Sequence, residues 1–127
     1  MSSYPTDLRY TNDHEWLRSA GTGWRVGITQ FAVNQLGDIT IVELPKVGDT
    51  FGRSDVFGTI EAVKAVSELF APISGEIVEV NPRLDKEPNL VNTDPYGDGW
   101  MVRIRMKDSS EQEQLLGPEE YGKQVGQ

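Results

Sequence analysis

The chain has 127 residues, a length that fits one ordinary domain with a single hydrophobic core. Its 20 acidic and 12 basic residues give a formal net charge of −8, which repels nucleic acid phosphates and anionic lipid surfaces. No stretch approaches the roughly 20 apolar residues of a membrane span, and the N-terminus shows no cationic-then-apolar signal pattern. The absence of cysteine excludes disulfide scaffolds, thiolate nucleophiles and cysteine metal sites. These features predict a globular protein that binds neither nucleic acid nor membrane and stays where it is made.

The first predicted elements in chain order are a hairpin, a short helix and a strand. Residues 15–19 and 24–28 are predicted as two strands joined by a glycine-containing turn. Thr29 offers a side-chain oxygen that can cap a helix, and Gly37 suits the position that ends it. Residues 38–44 alternate through β-branched side chains, which predicts a half-buried strand.

The middle of the chain is rich in closely spaced turn signals. Between residues 47 and 80, glycine, proline and aspartate separate short runs of β-branched and aromatic residues, a pattern that favours a sandwich or flattened barrel. Residues 81–99 are predicted as a long surface connection with a helical turn near residues 89–91.

The last third of the chain is predicted to hold one strand and two short helices. Residues 100–106 alternate again and indicate a closing strand. Ser109 or Ser110, each three residues before a glutamine or glutamate, predicts a capping box for a short helix through Leu116. Pro118 is predicted to begin a last helical turn through Tyr121.

Lys64 stands in an unusual connection between two predicted strands. The strands within residues 57–73 meet near Lys64, yet no Gly, Asn, Asp or Pro stands between Thr59 and Ala71 to form the turn. Local rules of this kind tend to fail at functional sites. Lys64 is also the only basic residue between Arg53 and Arg83. An exposed lysine at a turn is most often a solvated charge, and the alternative is an attachment point on a long flexible stem.

The residues around Lys64 resemble the lipoyl-lysine hairpin of the glycine cleavage system H protein family. That resemblance starts with Glu61-Ala62-Val63-Lys64-Ala65 followed by Ala71-Pro72-Ile73-Ser74-Gly75. It extends over nearly the whole chain, through His14-Glu15-Trp16, Leu36-Gly37-Asp38, Val42-Glu43-Leu44-Pro45, Asp94-Pro95-Tyr96-Gly97 and Glu119-Glu120-Tyr121. The chain departs from the family at Ala62, where Ser is usual, and at Glu68, where Asp is common.

The resemblance implies a mainly β fold, a barrel-sandwich hybrid of the lipoyl/biotinyl type with short peripheral helices. Residues 1–127 are expected to form a single lipoyl-carrier domain with a C-terminal helical extension. Lipoate is expected to be attached covalently to Lys64, with Glu61, Val63 and Ala65 forming the hairpin around it.

The resemblance also implies a carrier, with no catalytic residue and no metal site of its own. In the family, the lipoyl group takes the aminomethyl group of glycine from a pyridoxal-phosphate glycine decarboxylase to a tetrahydrofolate-dependent aminomethyltransferase, and dihydrolipoamide dehydrogenase reoxidises it. Lipoate-attaching enzymes are further expected partners. We expect a monomer in the bacterial cytoplasm, as the initial Met1 suggests, with a mature mitochondrial matrix protein as the alternative.

Two carboxylates are candidates for contacts with the loaded lipoyl arm. The resemblance implies that the arm folds into a cleft where carboxylates hold the cargo's amine, and the matching residues are Glu15 and Glu68. The alternative for both is ordinary surface charge. His14, the only histidine, is predicted to serve packing or hydrogen bonding, because one imidazole without further ligands makes a poor metal site.

Three other functions stay open at this stage. A biotinyl carrier or a lipoyl domain of a 2-oxoacid dehydrogenase shares the hairpin lysine, although biotin carriers usually place Met on both sides of it. An enzyme could use Glu61 and Glu68 as an acid/base pair. An interaction module could have kept the fold without the cofactor.

Overall fold

The structure, a computed structural model, describes residues 7–20, 23–63 and 65–125, with the backbone alone at Ala20 and Ser109. Lys64 lies outside the described residues, and so do residues 21 and 22 of the first predicted turn. Among the described residues, no helix is long and apolar enough to cross a membrane.

Two antiparallel sheets contain most of the regular secondary structure in the described part of the chain. Their strands are β1 (Arg9–Tyr10), β2 (Glu15–Ala20), β3 (Gly23–Ile28), β4 (Ile39–Glu43), β5 (Thr50–Phe51), β6 (Val56–Ala62), β7 (Val66–Phe70), β8 (Gly75–Val80) and β9 (Val102–Met106). The larger sheet has the order β1-β2-β3-β9-β8-β5, and the smaller one has the order β4-β6-β7. The predicted mainly β architecture is therefore confirmed.

Short helices connect and flank the sheets. They are α1 (Gln30–Leu36), α2 (Leu90–Thr93), α3 (Pro118–Gln124) and the 3₁₀ helices Pro82–Asp85 and Ser109–Gln114. Thr29 caps α1 as predicted, because its hydroxyl oxygen accepts a hydrogen bond from the Ala32 N–H at 3.3 Å. Gly37, with a φ of 79°, ends the helix, again as predicted.

The predicted capping box near residue 109 is wrong. Asp108 caps the 3₁₀ helix instead, since its carboxylate accepts a hydrogen bond from the Ser110 N–H at 3.0 Å. A carboxylate one residue upstream supplies the acceptor that the serines were predicted to supply. This helix ends at Gln114 and not at Leu116, and α3 runs three residues beyond the predicted Tyr121.

Strand β4 is half buried as predicted, but not through a regular alternation. The register with β6 shifts between Ile39 and Ile41, which is the mark of a β-bulge. Ile39 and Val42 consequently face the core, whereas Ile41 is 48% exposed. The bulge sends Ile41 to the outer face.

The main core lies between the two sheets, and a second cluster lies behind β2. Leu17 belongs to the first and Trp16 to the second, so β2 is buried on both faces. A Cβ at Gly27 would come within 2.6 Å of the Trp16 ring, which is why the facing strand has glycine there. Tyr121 of α3 stacks on Tyr10 at 4.8 Å, and this contact packs the C-terminal helix against the second cluster.

Candidate functional site

The β6–β7 hairpin closes over a very short connection. Glu61 pairs with Val66, and the Ala62 N–H donates a hydrogen bond to the Ala65 carbonyl at 2.7 Å. Only two residues of the sequence lie between Ala62 and Ala65, the last hydrogen-bonded pair of the hairpin. Neither is a Gly, Asn, Asp or Pro, the residues that usually form such turns. The Val63 N–H donates to the Asp38 carbonyl at 3.0 Å, which ties the connection to the segment before β4.

The hairpin end is exposed. Val63 is 76% and Val66 is 67% exposed, while Ala62 and Ala65 pack against the edge of the main core. Exposed apolar side chains therefore stand on both sides of the turn. Lys64 follows Val63 in the chain but lies outside the described residues, so its role as the attachment point stays a prediction.

A cleft of about 170 Å³ begins beside this hairpin. One wall comes from residues 13–15 and from α1, and the other comes from residues 67–69 of β7. The cleft brings together Glu15 and Glu68, the two carboxylates predicted to share a site. Glu61 sits on β6 and is half buried, but it does not line the cleft, which leaves the proposed Glu61–Glu68 pair without a common cavity.

Glu15 is a buried carboxyl with one unsatisfied oxygen. The side chain is 2% exposed, so the alternative of ordinary surface charge is wrong for this residue. Its Oε2 accepts a hydrogen bond from the Phe70 N–H at 2.8 Å, while Oε1 has no hydrogen-bond partner in the part of the chain that the structure describes. Burial raises the pKa of the Glu15 carboxyl well above its usual value, the Phe70 N–H lowers it, and the Asp13 charge raises it further.

Glu68 stands at the rim of the same cleft and is exposed. It pairs with Thr59 across the hairpin, and the strand alternation places Ser67 and Leu69 on the core face and Glu68 on the other. Ser67, which the sequence analysis did not single out, also lines the cleft. Its position three residues after Lys64 was the signal that could have found it.

His14 takes the packing and hydrogen-bonding role that was predicted. Its Nδ1 lies 2.8 Å from the Tyr121 hydroxyl, and its ring centroid lies 4.6 Å from that of Phe31. Burial lowers the pKa of the His14 imidazole, and the Asp13 charge acts weakly in the opposite direction. Its φ of 64° is rare for a side-chain-bearing residue. Within the described ranges no group of three His, Asp or Glu side chains could hold a metal ion.

Comparisons with known proteins point to one family. Residues 8–127 match the family model described as "Glycine cleavage H-protein". The chain is 49% identical to the glycine cleavage system H protein of Carboxydothermus hydrogenoformans, over 97% of this chain and 95% of that protein. It is 50% identical to the protein of the same name from Rubrobacter xylanophilus, over 98% of this chain and 97% of the relative.

A solved structure is similar over the same length. The crystal structure of a glycine cleavage system H protein from Mycobacterium marinum superimposes with a TM-score of 0.88 at 41% identity, covering 98% of this chain and 100% of that one. This match confirms the predicted barrel-sandwich hybrid with short peripheral helices.

Proposed function

Since this chain belongs to the glycine cleavage H-protein family, we propose that it is the lipoyl-bearing shuttle of a glycine cleavage system, with lipoate attached to Lys64. Members of this family are carrier components and not enzymes. The match over nearly the full length of H proteins favours this role over a biotin carrier or a 2-oxoacid dehydrogenase domain.

One observation carries the proposal: an exposed hairpin end stands beside a cleft that holds a buried, half-satisfied carboxyl. The neighbours of Lys64 suit a covalently attached group, because Val63 faces solvent and Ala65 is too small to obstruct an arm. The cleft begins at Ser67 on β7, the strand that follows the turn, within reach of a long arm attached near that turn. Oxygen Oε1 of Glu15 offers an acceptor there.

The lipoyl group, when attached, supplies a cyclic disulfide that accepts the aminomethyl group of glycine. We propose that the chain presents this group to the pyridoxal-phosphate glycine decarboxylase, the tetrahydrofolate-dependent aminomethyltransferase and dihydrolipoamide dehydrogenase. A separate lipoate-attaching enzyme would modify Lys64. The chain itself contributes attachment, docking and shelter, while its partners and the cofactor contribute the chemistry. Tethering keeps the cargo at a high local concentration beside each docked partner.

Glu15 is proposed to hold the cationic amine of the cargo. Burial by itself biases the Glu15 carboxyl toward the neutral form. An ammonium group beside Oε1 would favour the carboxylate, so the side chain would release its proton as the cation enters. Glu68 is proposed as a second, weaker contact, because water screens a carboxylate at the rim.

We further propose that the whole chain is one lipoyl-carrier domain whose C-terminal extension ends in α3, and that it acts as a monomer. The relatives named above are bacterial proteins, which supports the bacterial cytoplasm as its location over the mitochondrial matrix.

Mass spectrometry of protein from its native host tests the attachment. Intact-mass measurement followed by peptide mapping should find a lipoyl increment on Lys64 that Lys64→Arg abolishes. Lys46→Arg is the matched control, since it replaces an exposed lysine close to a different turn and should leave the increment in place. A biotin increment, or an unmodified Lys64 in cells that lipoylate other proteins, would overturn the proposal.

A further inference from the structure

The Tyr121 hydroxyl joins two segments that line the cleft. It lies 2.8 Å from Nδ1 of His14 and 2.7 Å from Oγ1 of Thr29, and the whole residue is fully buried. Tyr121 comes from the C-terminal helix, 107 residues after His14 in the chain. A buried phenol needs hydrogen-bond partners, and it finds them here in side chains next to the cleft.

Each of the two partners controls one part of the cleft wall. His14 lines the cleft itself and precedes Glu15 directly. Thr29 caps α1, the helix that contributes Phe31 and Gln35 to the lining. The Thr29 N–H also donates a hydrogen bond to the His14 carbonyl at 2.9 Å, so the two segments meet at both backbone and side-chain level.

We propose that Tyr121 is a positioning residue of the cleft: its hydroxyl fixes His14 and the start of α1, and thereby holds the Glu15 carboxyl where the cargo's amine arrives. The proposal rests on the proposed function for the identity of the cargo. The strained backbone of His14 supports it, because a side-chain-bearing residue keeps a left-handed conformation only when its surroundings hold it there.

As part of the proposal we assign the donors and acceptors around the hydroxyl. Thr29 Oγ1 accepts from the Ala32 N–H and donates its own proton to the Tyr121 oxygen, although the 2.7 Å contact allows either hydroxyl to donate. Tyr121 then donates to Nδ1 of His14, and a neutral imidazole carries its proton on Nε2. The lowered pKa of His14 agrees with a neutral ring. The other titratable groups that line this cleft are the carboxyls of Asp13, Glu15 and Glu68.

The first experiment needs no lipoate. Because His14 is the only histidine of the chain, nitrogen-15 NMR of the unmodified protein reports its tautomer and titration without overlap. Wild type should show an unprotonated, hydrogen-bonded Nδ1. Tyr121→Phe should mix the two tautomers of the neutral ring, because the hydroxyl that selects one of them is gone.

Tyr96→Phe is the matched control for this measurement. It removes a phenol hydroxyl that accepts from the Gln30 N–H at 2.8 Å, and so it also changes a contact of α1. Its His14 signals should match wild type. Unchanged His14 signals in Tyr121→Phe would overturn the proposal. If that variant does not fold, Thr29→Val should shift the His14 signals and Thr29→Ser should restore them.

The second experiment uses the lipoylated protein. Tyr121→Phe should shorten the lifetime of the loaded arm about threefold to tenfold, as expected for one lost hydrogen bond, while the rate of lipoylation stays at the wild-type value. If Tyr121→Phe changes the His14 signals but leaves the lifetime of the loaded arm unchanged, the positioning role alone is overturned. A wild-type chain that cannot be lipoylated would instead overturn the proposed function.

Discussion

The two walls of the cleft are built in opposite ways. The wall from β2 and α1 carries the buried Glu15 and is held by hydrogen bonds, because Glu15 accepts from the Phe70 N–H of β7 and His14 bonds to Tyr121. The facing hairpin buries Ile60 and Leu69 against the cleft, but its end is exposed, with Val63 and Val66 in water and Glu68 at the rim. The difference separates two tasks: one wall is prepared to receive a cation, and the other presents an arm to partner proteins. Rigid support around a site keeps its geometry productive.

Removing the charge of the buried wall should have the largest effect. In lipoylated protein, Glu15→Gln should shorten the lifetime of the loaded arm about tenfold to a hundredfold, the range expected when a hydrogen bond to a charged group is lost. The decay can be followed by mass spectrometry after loading from glycine. Glu119→Gln, which neutralises an exposed carboxylate on α3, should decay like wild type. Equal lifetimes for Glu15→Gln and wild type would contradict a role for the buried wall.

Added volume where Gly27 packs on the Trp16 ring, behind β2, should destabilise the fold. The added methyl of Gly27→Ala meets the Trp16 ring, and overpacking of this kind costs about 1–3 kcal/mol in the free energy of unfolding. Urea denaturation measures the change. In Gly117→Ala the new methyl meets only Glu120 Oε1 at 3.5 Å, so it should cost less than about 1 kcal/mol. If Gly27→Ala and Gly117→Ala lose the same free energy of unfolding, the space between residue 27 and the Trp16 ring can accept a methyl group, which contradicts the close contact.

The burial of Glu15 should appear in the pH dependence of stability. Because its pKa is raised in the folded state, the stabilisation is complete below the unfolded value of about 4.3 and is lost as pH rises through the folded value. Glu15→Gln lacks this titration. The free energy of unfolding of wild type relative to Glu15→Gln should therefore fall as pH rises above about 4.3, by about 1.4 kcal/mol per unit of raised pKa.

His14 acts in the other direction, since its lowered pKa costs stability as pH falls below about 6.5. Because wild type and Glu15→Gln both contain His14, its contribution cancels when their free energies of unfolding are compared. If the difference in free energy of unfolding between wild type and Glu15→Gln does not change with pH, the raised pKa of Glu15 is contradicted.

The exposed wall should show the smallest effect. Glu68→Gln should shorten the lifetime of the loaded arm less than about threefold, because a solvated carboxylate contributes little to holding a cation. Raising the ionic strength should remove even this difference from wild type. A loss as large as that of Glu15→Gln would mean that the hairpin wall closes over the cargo.

Local features of this fold could be predicted from the sequence, and long-range ones could not. The cap at Thr29 and the helix end at Gly37 depend on residues within one turn, and both are as predicted. The bulge that exposes Ile41 depends on the pairing of β4 with β6, which no local pattern contains. The 3₁₀ helix at Pro82–Asp85 was missed although Asn81 offered a local cap.

The candidate site shows the same division. The family resemblance selected Glu15, and the cleft contains it, but its hydrogen bond comes from the N–H of Phe70, 55 residues away. The bond between His14 and Tyr121 spans 107 residues. The sequence therefore predicted a hydrogen-bonding or packing role for His14 but could not identify Tyr121 as its partner. Glu68 was selected in the same way, and strand alternation moved it to the rim.

The central claim is that Lys64 carries the group that moves between the partner enzymes. Its most direct test is transfer of the aminomethyl carbon from labelled glycine to tetrahydrofolate in a reconstituted system with lipoylated protein. Wild type and Lys46→Arg should support transfer at equal rates, and Lys64→Arg should support none. Transfer by Lys64→Arg at a substantial fraction of the wild-type rate would contradict the account.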